Sequence, residues 1–372
     1  MQRLGIGLIG SGFMGRSHAI AFRAVAGIFG LETVPVLELL ADINRPTAER
    51  AAKALGFARA TDDWQALIAD PAVGLVDITT PNTLHKPMAL AAIAAGKPVY
   101  CEKPLAATAA DAQEMADAAK AAGVQTFVGF NYLKNPMLAL AREVILNGEI
   151  GDLVSFRGIH AEDYMTDPLN PWTWRLDPAG GHGAVADIGS HILSVARFLM
   201  GDIVEVSGQI VTVVPKRPAG PGSHELRDVL VDDQARALIR FANGATGSIE
   251  ASWVAAGRKM TLAFEVTGTK GTIAFDQERM NEIQIYFTGQ RRGREGFKTI
   301  LSGPDHPNYR DFCPAPGHHL GFNDMKTIEV KAIIDALAGG PAFMPDFQEA
   351  ARIQAAVDAI VLSARERHWV TV

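Results

Sequence analysis

The chain has 372 residues, 48% hydrophobic and 20% charged, an ordinary globular composition with enough length for two packed domains. A formal net charge of −6 leaves no basic excess to condense on phosphate backbone, which argues against nucleic acid as a partner. No apolar run reaches the ~18 residues of a membrane span, Met1-Gln2-Arg3 leads straight into an apolar run without room for a signal peptide, and Cys101 and Cys313 are too few for a disulfide framework. A cytoplasmic protein with no membrane role is expected.

Taken in chain order, residues 4–9 read as a strand, 17–25 as a helix, 36–41 as a second strand, and 46–55 as a helix with Pro46 in its first turn. A buried strand at 75–79, a helix at 88–95 ended by Gly96, a strand at 99–101, a helix at 109–122 ended by Gly123 and a strand at 126–128 continue the alternation. Strands alternating with helices predict a doubly wound parallel sheet over residues 1–128.

From about residue 151 the rhythm changes. Strand candidates at 154–160, 203–213, 233–241, 246–252, 262–267, 271–275 and 282–287 follow one another mostly through turns, with one strong helix at 184–200. This predicts an α+β domain over 129–372 with a large, mainly antiparallel open sheet, one face on helices and the other available to a partner subunit. The polar, basic stretch 289–311 reads as an irregular surface excursion. Helices are expected at 323–338 and 347–367, and a C-terminal helix can pack back on the first domain. The fold class is thus α/β, with a Rossmann sheet first and an open-sheet domain second.

The chemistry begins at Gly10-Ser11-Gly12-Phe13-Met14-Gly15, a glycine turn between strand and helix. Glycines punctuate many such turns, but here an acid, Asp42, closes the next strand, as in a dinucleotide site. The turn and helix start would hold the pyrophosphate against Gly10, Gly12, Phe13 and Met14, while Asp42 would accept hydrogen bonds from ribose hydroxyls. A carboxylate there repels a 2′-phosphate and favours NAD, although nearby Arg45 keeps NADP open. Thr80-Pro81-Asn82 and His85, at the carboxyl edge of the sheet, read either as a plain Pro-Asn turn or as the lining of the nicotinamide ribose. Cys101-Glu102-Lys103-Pro104 follows the next strand, where Glu102 and Lys103 are expected at the cofactor and Lys103 is either a solvated lysine or a positioned cation.

Asp187 and His191, four apart on one predicted helix after Gly180-Gly181-His182-Gly183, read either as a surface pair or as a proton acceptor with its acid. Trp172-Thr173-Trp174-Arg175 supplies aromatic surface and a fixed cation, which suits a polyhydroxylated ring as well as plain packing. The pair His318-His319 suggests metal, yet no cysteine or carboxylate stands at zinc-ligand spacing, so no metal is expected. Bland surface histidines and a substrate contact by His318 remain the readings there.

The glycine turn, Glu102-Lys103-Pro104, Trp174-Arg175 and Asp187-Ile188-Gly189-Ser190-His191 together resemble the Gfo/Idh/MocA oxidoreductases over almost the whole chain. Residues 240–244 and 268–273 are most similar to its cyclic polyol and sugar branch, the inositol, L-glucose and levoglucosan dehydrogenases. The resemblance implies NAD-dependent oxidation of a secondary hydroxyl of an inositol or aldose. In it His191 is the base, Lys103 stabilises the alkoxide, Asp187 orients His191, and Tyr132, Trp174, Arg175 and His318 face the substrate. Lys103 as the base is the alternative. A homotetramer through the open sheet is implied, in which His318 could reach a neighbouring site. The competing functions are a levoglucosan-type anhydrosugar dehydrogenase, an NADP-dependent imine or ketone reductase, and a non-catalytic NAD sensor. One departure is His182, which stands where the family often has glycine.

Overall fold

The computed structural model describes residues 2–372, which divide into two compact units: residues 2–134 with Leu320–Ala351, and Asn135–His319 with Arg352–Val372.

In the first unit the strands are β1 (Gln2–Ile9), β2 (Thr33–Ala41), β3 (Arg59–Thr61), β4 (Leu75–Ile78), β5 (Val99–Cys101) and β6 (Thr126–Val128). They form one all-parallel sheet in the order β3-β2-β1-β4-β5-β6. The crossover helices are α1 (Phe13–Phe29), α2 (Arg45–Leu55), α3 (Trp64–Ala69), α4 (His85–Ala94) and α5 (Ala109–Ala122). A strand covered on both faces is buried throughout, as Leu75–Ile78 is, and its one polar residue, Asp77, is met by His18 at 2.9 Å. On α1 the inward positions Ala19, Phe22 and Val25 recur at helical spacing, and Gly30 ends the helix in the left-handed conformation at φ 61°. The late helix α10 (Phe322–Leu337) brings Val330, Ile333 and Ile334 into the core that holds Ile6, Leu8 and Phe22. Each large side chain fully buried there contributes about 1.5–3 kcal/mol. The strand order reverses between β1 and β4, and such a switch point leaves a crevice beyond the carboxyl ends of both strands.

The second unit opens with α6 (Pro136–Leu146), then β7 (Leu153–Ala161), α7 (Ala184–Asp187), α8 (Gly189–Met200) and β8 (Ile203–Val211). A two-stranded hairpin follows, β9 (Lys216–Pro218) with β10 (Leu226–Asp228). Next come β11 (Gln234–Phe241), β12 (Thr246–Ser252), β13 (Thr261–Gly268), β14 (Gly271–Asp276), β15 (Glu282–Phe287), β16 (Lys298–Leu301), the short α9 (Tyr309–Phe312) and, at the end, β17 (Val370–Thr371). Helix α11 (Phe347–Glu366) starts in the first unit and runs on into the second. Nine strands form a sheet in the order β16-β15-β14-β13-β7-β12-β11-β8-β17, antiparallel except for β7 with β12.

The strands of this sheet alternate buried and exposed residues, as β11 does along Gln234–Phe241. Helix α8 lies on the buried face, and it comes close because residue 158 is glycine: a Cβ there would stand 2.6 Å from Ile192 Cγ1. The opposite face carries the ion pairs Arg157–Glu265 (3.1 Å) and Arg236–Glu250 (2.8 Å) beside exposed Leu238.

Two expectations need correction. The stretch 289–311 is not wholly irregular: it contains β16, which pairs with β15, and α9, whose Tyr309 is fully buried. Nor is 184–200 one helix. The turn breaks at Ile188 (φ −108°), and the His191 amide donates to Ile188 O (3.1 Å). His160, on β7, holds that same carbonyl through Nδ1 at 2.8 Å, which gives the break a physical cause.

Candidate active site

The glycine turn lies at the carboxyl end of β1 in the first unit. Gly10 takes φ +96°, and Thr79 Oγ1 donates to its carbonyl at 2.7 Å. A Cβ on Gly15 would sit 2.2 Å from Gly10 O, so only glycine lets α1 start this close to the strand. A Cβ on Gly12 would meet nothing within 4 Å, and no side chain caps the start of α1. Amides in such a setting fit a pyrophosphate. Phe13 is exposed and stacks on Phe322 (5.7 Å), which also lies 6.3 Å from the ring of Tyr132; Met14 is half-buried.

Asp42 closes β2 and turns back onto the same loop. Its carboxylate accepts the amide of Ser11 (3.0 Å), the Ser11 hydroxyl, and the amide of Ile43 (2.7 Å). Arg45, the residue that keeps NADP open, is engaged by Glu49 at 2.7 Å.

Thr80, Pro81 and Asn82 are half-buried after β4. His85 is fully buried, its ring nitrogens 3.0 Å from Pro104 O and 2.9 Å from Thr80 O, so it ties the loop after β4 to the loop after β5. Burial lowers its pKa. Lys103 is half-buried immediately beyond β5, and its amide donates to Glu102 Oε2 (3.1 Å).

In the second unit, Asp187 is the last residue of α7. Its Oδ2 accepts the Tyr164 hydroxyl (2.8 Å) and Arg175 Nε (3.2 Å). Burial and the adjacent carboxylate push the Tyr164 hydroxyl well above its usual pKa, which keeps it a donor. The Arg175 guanidinium also lies over the Trp174 ring at 4.4 Å. His191, in the first turn of α8, is buried, its ring 5.5 Å from that of His160.

The start of α7 is fixed from below by Asp232, whose buried carboxylate accepts the amides of Gly183 (2.9 Å) and Val185 (2.8 Å). A Cβ on Gly183 would lie 1.9 Å from Asp232 O, which explains glycine there. His182, at the departure from the family pattern, reaches Asp358 at 3.3 Å. His318 is exposed, on a loop whose backbone carbonyl at this residue accepts the Tyr309 hydroxyl (2.5 Å).

Residues 4–130 match the model of an oxidoreductase family with an NAD-binding Rossmann fold, and residues 138–274 match the C-terminal domain of the GFO/IDH/MocA proteins. The chain belongs to the Gfo/Idh/MocA family. Among its members, levoglucosan dehydrogenase of Pseudarthrobacter phenanthrenivorans is 39% identical over 100% of this chain and 99% of its own length. The scyllo-inositol 2-dehydrogenase (NAD(+)) of Bacillus subtilis is 30% identical over 75% of each. A solved levoglucosan dehydrogenase in complex with NADH and levoglucosan superposes with a TM-score of 0.96, at 40% identity and full coverage of both chains. The protein is therefore an NAD-dependent oxidoreductase of the sugar and polyol dehydrogenase family. Within it, the similarity favours the anhydrosugar alternative over the inositol or aldose reading.

Further residues around these family motifs were not anticipated from the sequence. Tyr164, His160 and Asp232 hold Asp187 and the Ile188 turn, and His18 and Lys326 meet Glu102. None has a local motif. Tyr164 could have been suspected from its place in the polar loop just ahead of Trp172 and Trp174.

Proposed function

We propose that the protein oxidises one secondary ring hydroxyl of a levoglucosan-type anhydrosugar to the ketone, with NAD as acceptor. The observation that carries this is the end-to-end similarity to levoglucosan dehydrogenase, against three-quarter coverage for the inositol enzyme. When bound, the nicotinamide supplies the hydride acceptor for the carbon-bound hydrogen. Gly10, Gly12, Phe13 and Met14 bind the pyrophosphate side, Asp42 the adenosine ribose, and Thr80, Pro81 and Asn82 the nicotinamide ribose. His85 and Glu102 set the two loops behind it.

His191 takes the hydroxyl proton, imidazole being the side chain that most often serves as a general base. Lys103 stabilises the negative charge that develops on the same oxygen. Asp187, held by Tyr164 and Arg175, orients His191 and accepts a neighbouring sugar hydroxyl. Tyr132 and Trp174 supply aromatic surface for the ring. His318 contacts a remote hydroxyl, its own subunit's or a neighbour's in a homotetramer built on the outward sheet face. A remote contact contributes mainly uniform binding, so His318→Ala raises KM more than it lowers kcat.

The test of the roles is Lys103→Ala and His191→Ala. Each should lower kcat at least ~100-fold with NAD binding retained. Near wild-type turnover in His191→Ala removes it from the reaction.

A further inference from the structure

Beneath Lys103 in the first unit lies a cluster of ionisable side chains drawn from α1, β4, α10 and the strand-end segment Tyr100–Glu102. His18, Asp77, Glu102, Lys326 and Glu329 are all buried. Glu102 Oε1 meets His18 Nε2 at 2.9 Å and Lys326 Nζ at 3.1 Å, while Oε2 accepts the Lys103 amide at 3.1 Å. His18 Nδ1 lies 2.9 Å from Asp77, so both ring nitrogens face carboxylates, and the ring stacks on Tyr100 at 4.5 Å. Lys326 spends its other two donors on Glu329 (2.7 Å) and the Tyr100 hydroxyl (3.0 Å), and that hydroxyl donates to Glu329. Even residue 129 is fitted to the cluster, because a Cβ there would stand 2.5 Å from Glu102 Oε1.

Removing ions from water costs several kcal/mol each, and well-packed apolar residues in their place are often as stable or more so. Stability alone therefore does not account for an ammonium and an imidazole converging on one buried carboxylate. Glu102 adjoins Lys103, and its second oxygen is spent on the Lys103 backbone.

We propose that His18 and Lys326 are positioning residues for Lys103, two buried side chains that fix the Glu102 carboxylate against the Lys103 amide and so set where that lysine stands. The proposal rests on Lys103 having the role given above. Electrostatics agree with the geometry: burial by itself would raise the Glu102 pKa, but Lys326 and His18 outweigh it and hold the group far below the carboxylate range. His18, by contrast, is raised: burial and Lys326 lower it, but Asp77 and Glu102 more than offset them. The ionisable groups facing Glu102 are His18 from α1, Asp77 from β4, Tyr100 and Cys101 from β5, Lys326 and Glu329 from α10, together with Lys103 and His85.

The test is Lys326→Gln/Glu329→Gln, which removes one charge of each sign, with kcat followed across pH and NAD affinity measured alongside. The folded variant should bind NAD within about 3-fold of wild type yet lose at least ~10-fold in kcat, a range expected of displaced catalytic groups. It should also show a new loss of kcat on the acid side, as Glu102 without Lys326 becomes able to take a proton. A cluster that only staples the fold lowers the melting temperature and moves neither quantity, which overturns the proposal.

Should that variant not fold, Gly129→Ala displaces the Glu102 carboxylate without changing any charge, and unchanged kcat there overturns it equally. A readout free of turnover separates this claim from the functional one. The rate of Lys103 acetylation, followed by peptide mass spectrometry against exposed Lys53, should change in either variant even if the assigned substrate is wrong. An unchanged Lys103 rate counts against the positioning role itself.

Discussion

Replacing Asp42 tests how the first unit chooses its cofactor. The carboxylate has two duties that the structure separates: it anchors the glycine turn through the Ser11 amide (3.0 Å), and it offers a charged acceptor at the end of β2. A hydrogen bond to a charged group is worth about 1.5–3 kcal/mol, so Asp42→Ala should weaken NAD by about 10- to 150-fold through the ribose contact alone. Loss of the turn anchor adds to this for NAD and NADP alike, whereas removing the negative charge relieves repulsion only of the 2′-phosphate. The ratio of the two affinities, measured by calorimetric titration, therefore cancels the turn anchor and reports the ribose contact and the charge. It should move at least ~10-fold toward NADP. Asp42→Asn, which keeps an acceptor for Ser11, should move the ratio in the same direction with less loss of NAD affinity. Equal weakening of both cofactors would refute the reasoning and leave Asp42 as a turn anchor only.

Three further outcomes follow from particular contacts. Tyr164→Phe removes the 2.8 Å bond to Asp187, and a fall of ~10-fold in kcat with an unchanged NAD dissociation constant is expected from steady-state and binding measurements. Trp253→Phe takes the indole N–H from Asp233 Oδ1 (2.6 Å) in a fully buried site, which should cost about 1–3 kcal/mol in denaturant unfolding. Burial over the Phe343 ring pushes Lys134 down to about 8. Below pH 8 the lysine is charged whether folded or not, and above about 10.5 it is neutral in both; between them the unfolded chain holds the extra proton, so folding gains stability as pH rises. Lys134→Met should lack that gain when melting temperatures are compared from pH 8 to 10.5.

The parallel sheet was legible because its strands are short, mainly apolar runs between alanine-rich helical stretches, and the runs at 75–79 and 99–101 became β4 and β5 almost residue for residue. The edge strand β3 was not, since Arg59–Thr61 is too short and polar to carry a pattern. Periodicity also could not show the break at Ile188: its apolar spacing continues through 188, 192, 195 and 199, and the cause is His160, a residue 28 positions away. The same limit applies to the site. Glycines, Asp42, Lys103, Asp187 and His191 stand in local motifs, whereas His18 and Lys326 are an unremarked histidine on one helix and a lysine on another. Only the packing of α1 and α10 on the sheet brings them to Glu102.

The central claim, oxidation of an anhydrosugar hydroxyl by NAD, is tested most directly by initial rates of NADH formation from levoglucosan, myo-inositol, scyllo-inositol and L-glucose, with NADH oxidation by a cyclic imine as the reverse arm. The account predicts that kcat/KM for levoglucosan exceeds each of the others by at least ~10-fold, about 1.4 kcal/mol of transition-state preference. A higher kcat/KM for an inositol or L-glucose, or turnover confined to the imine, would contradict it.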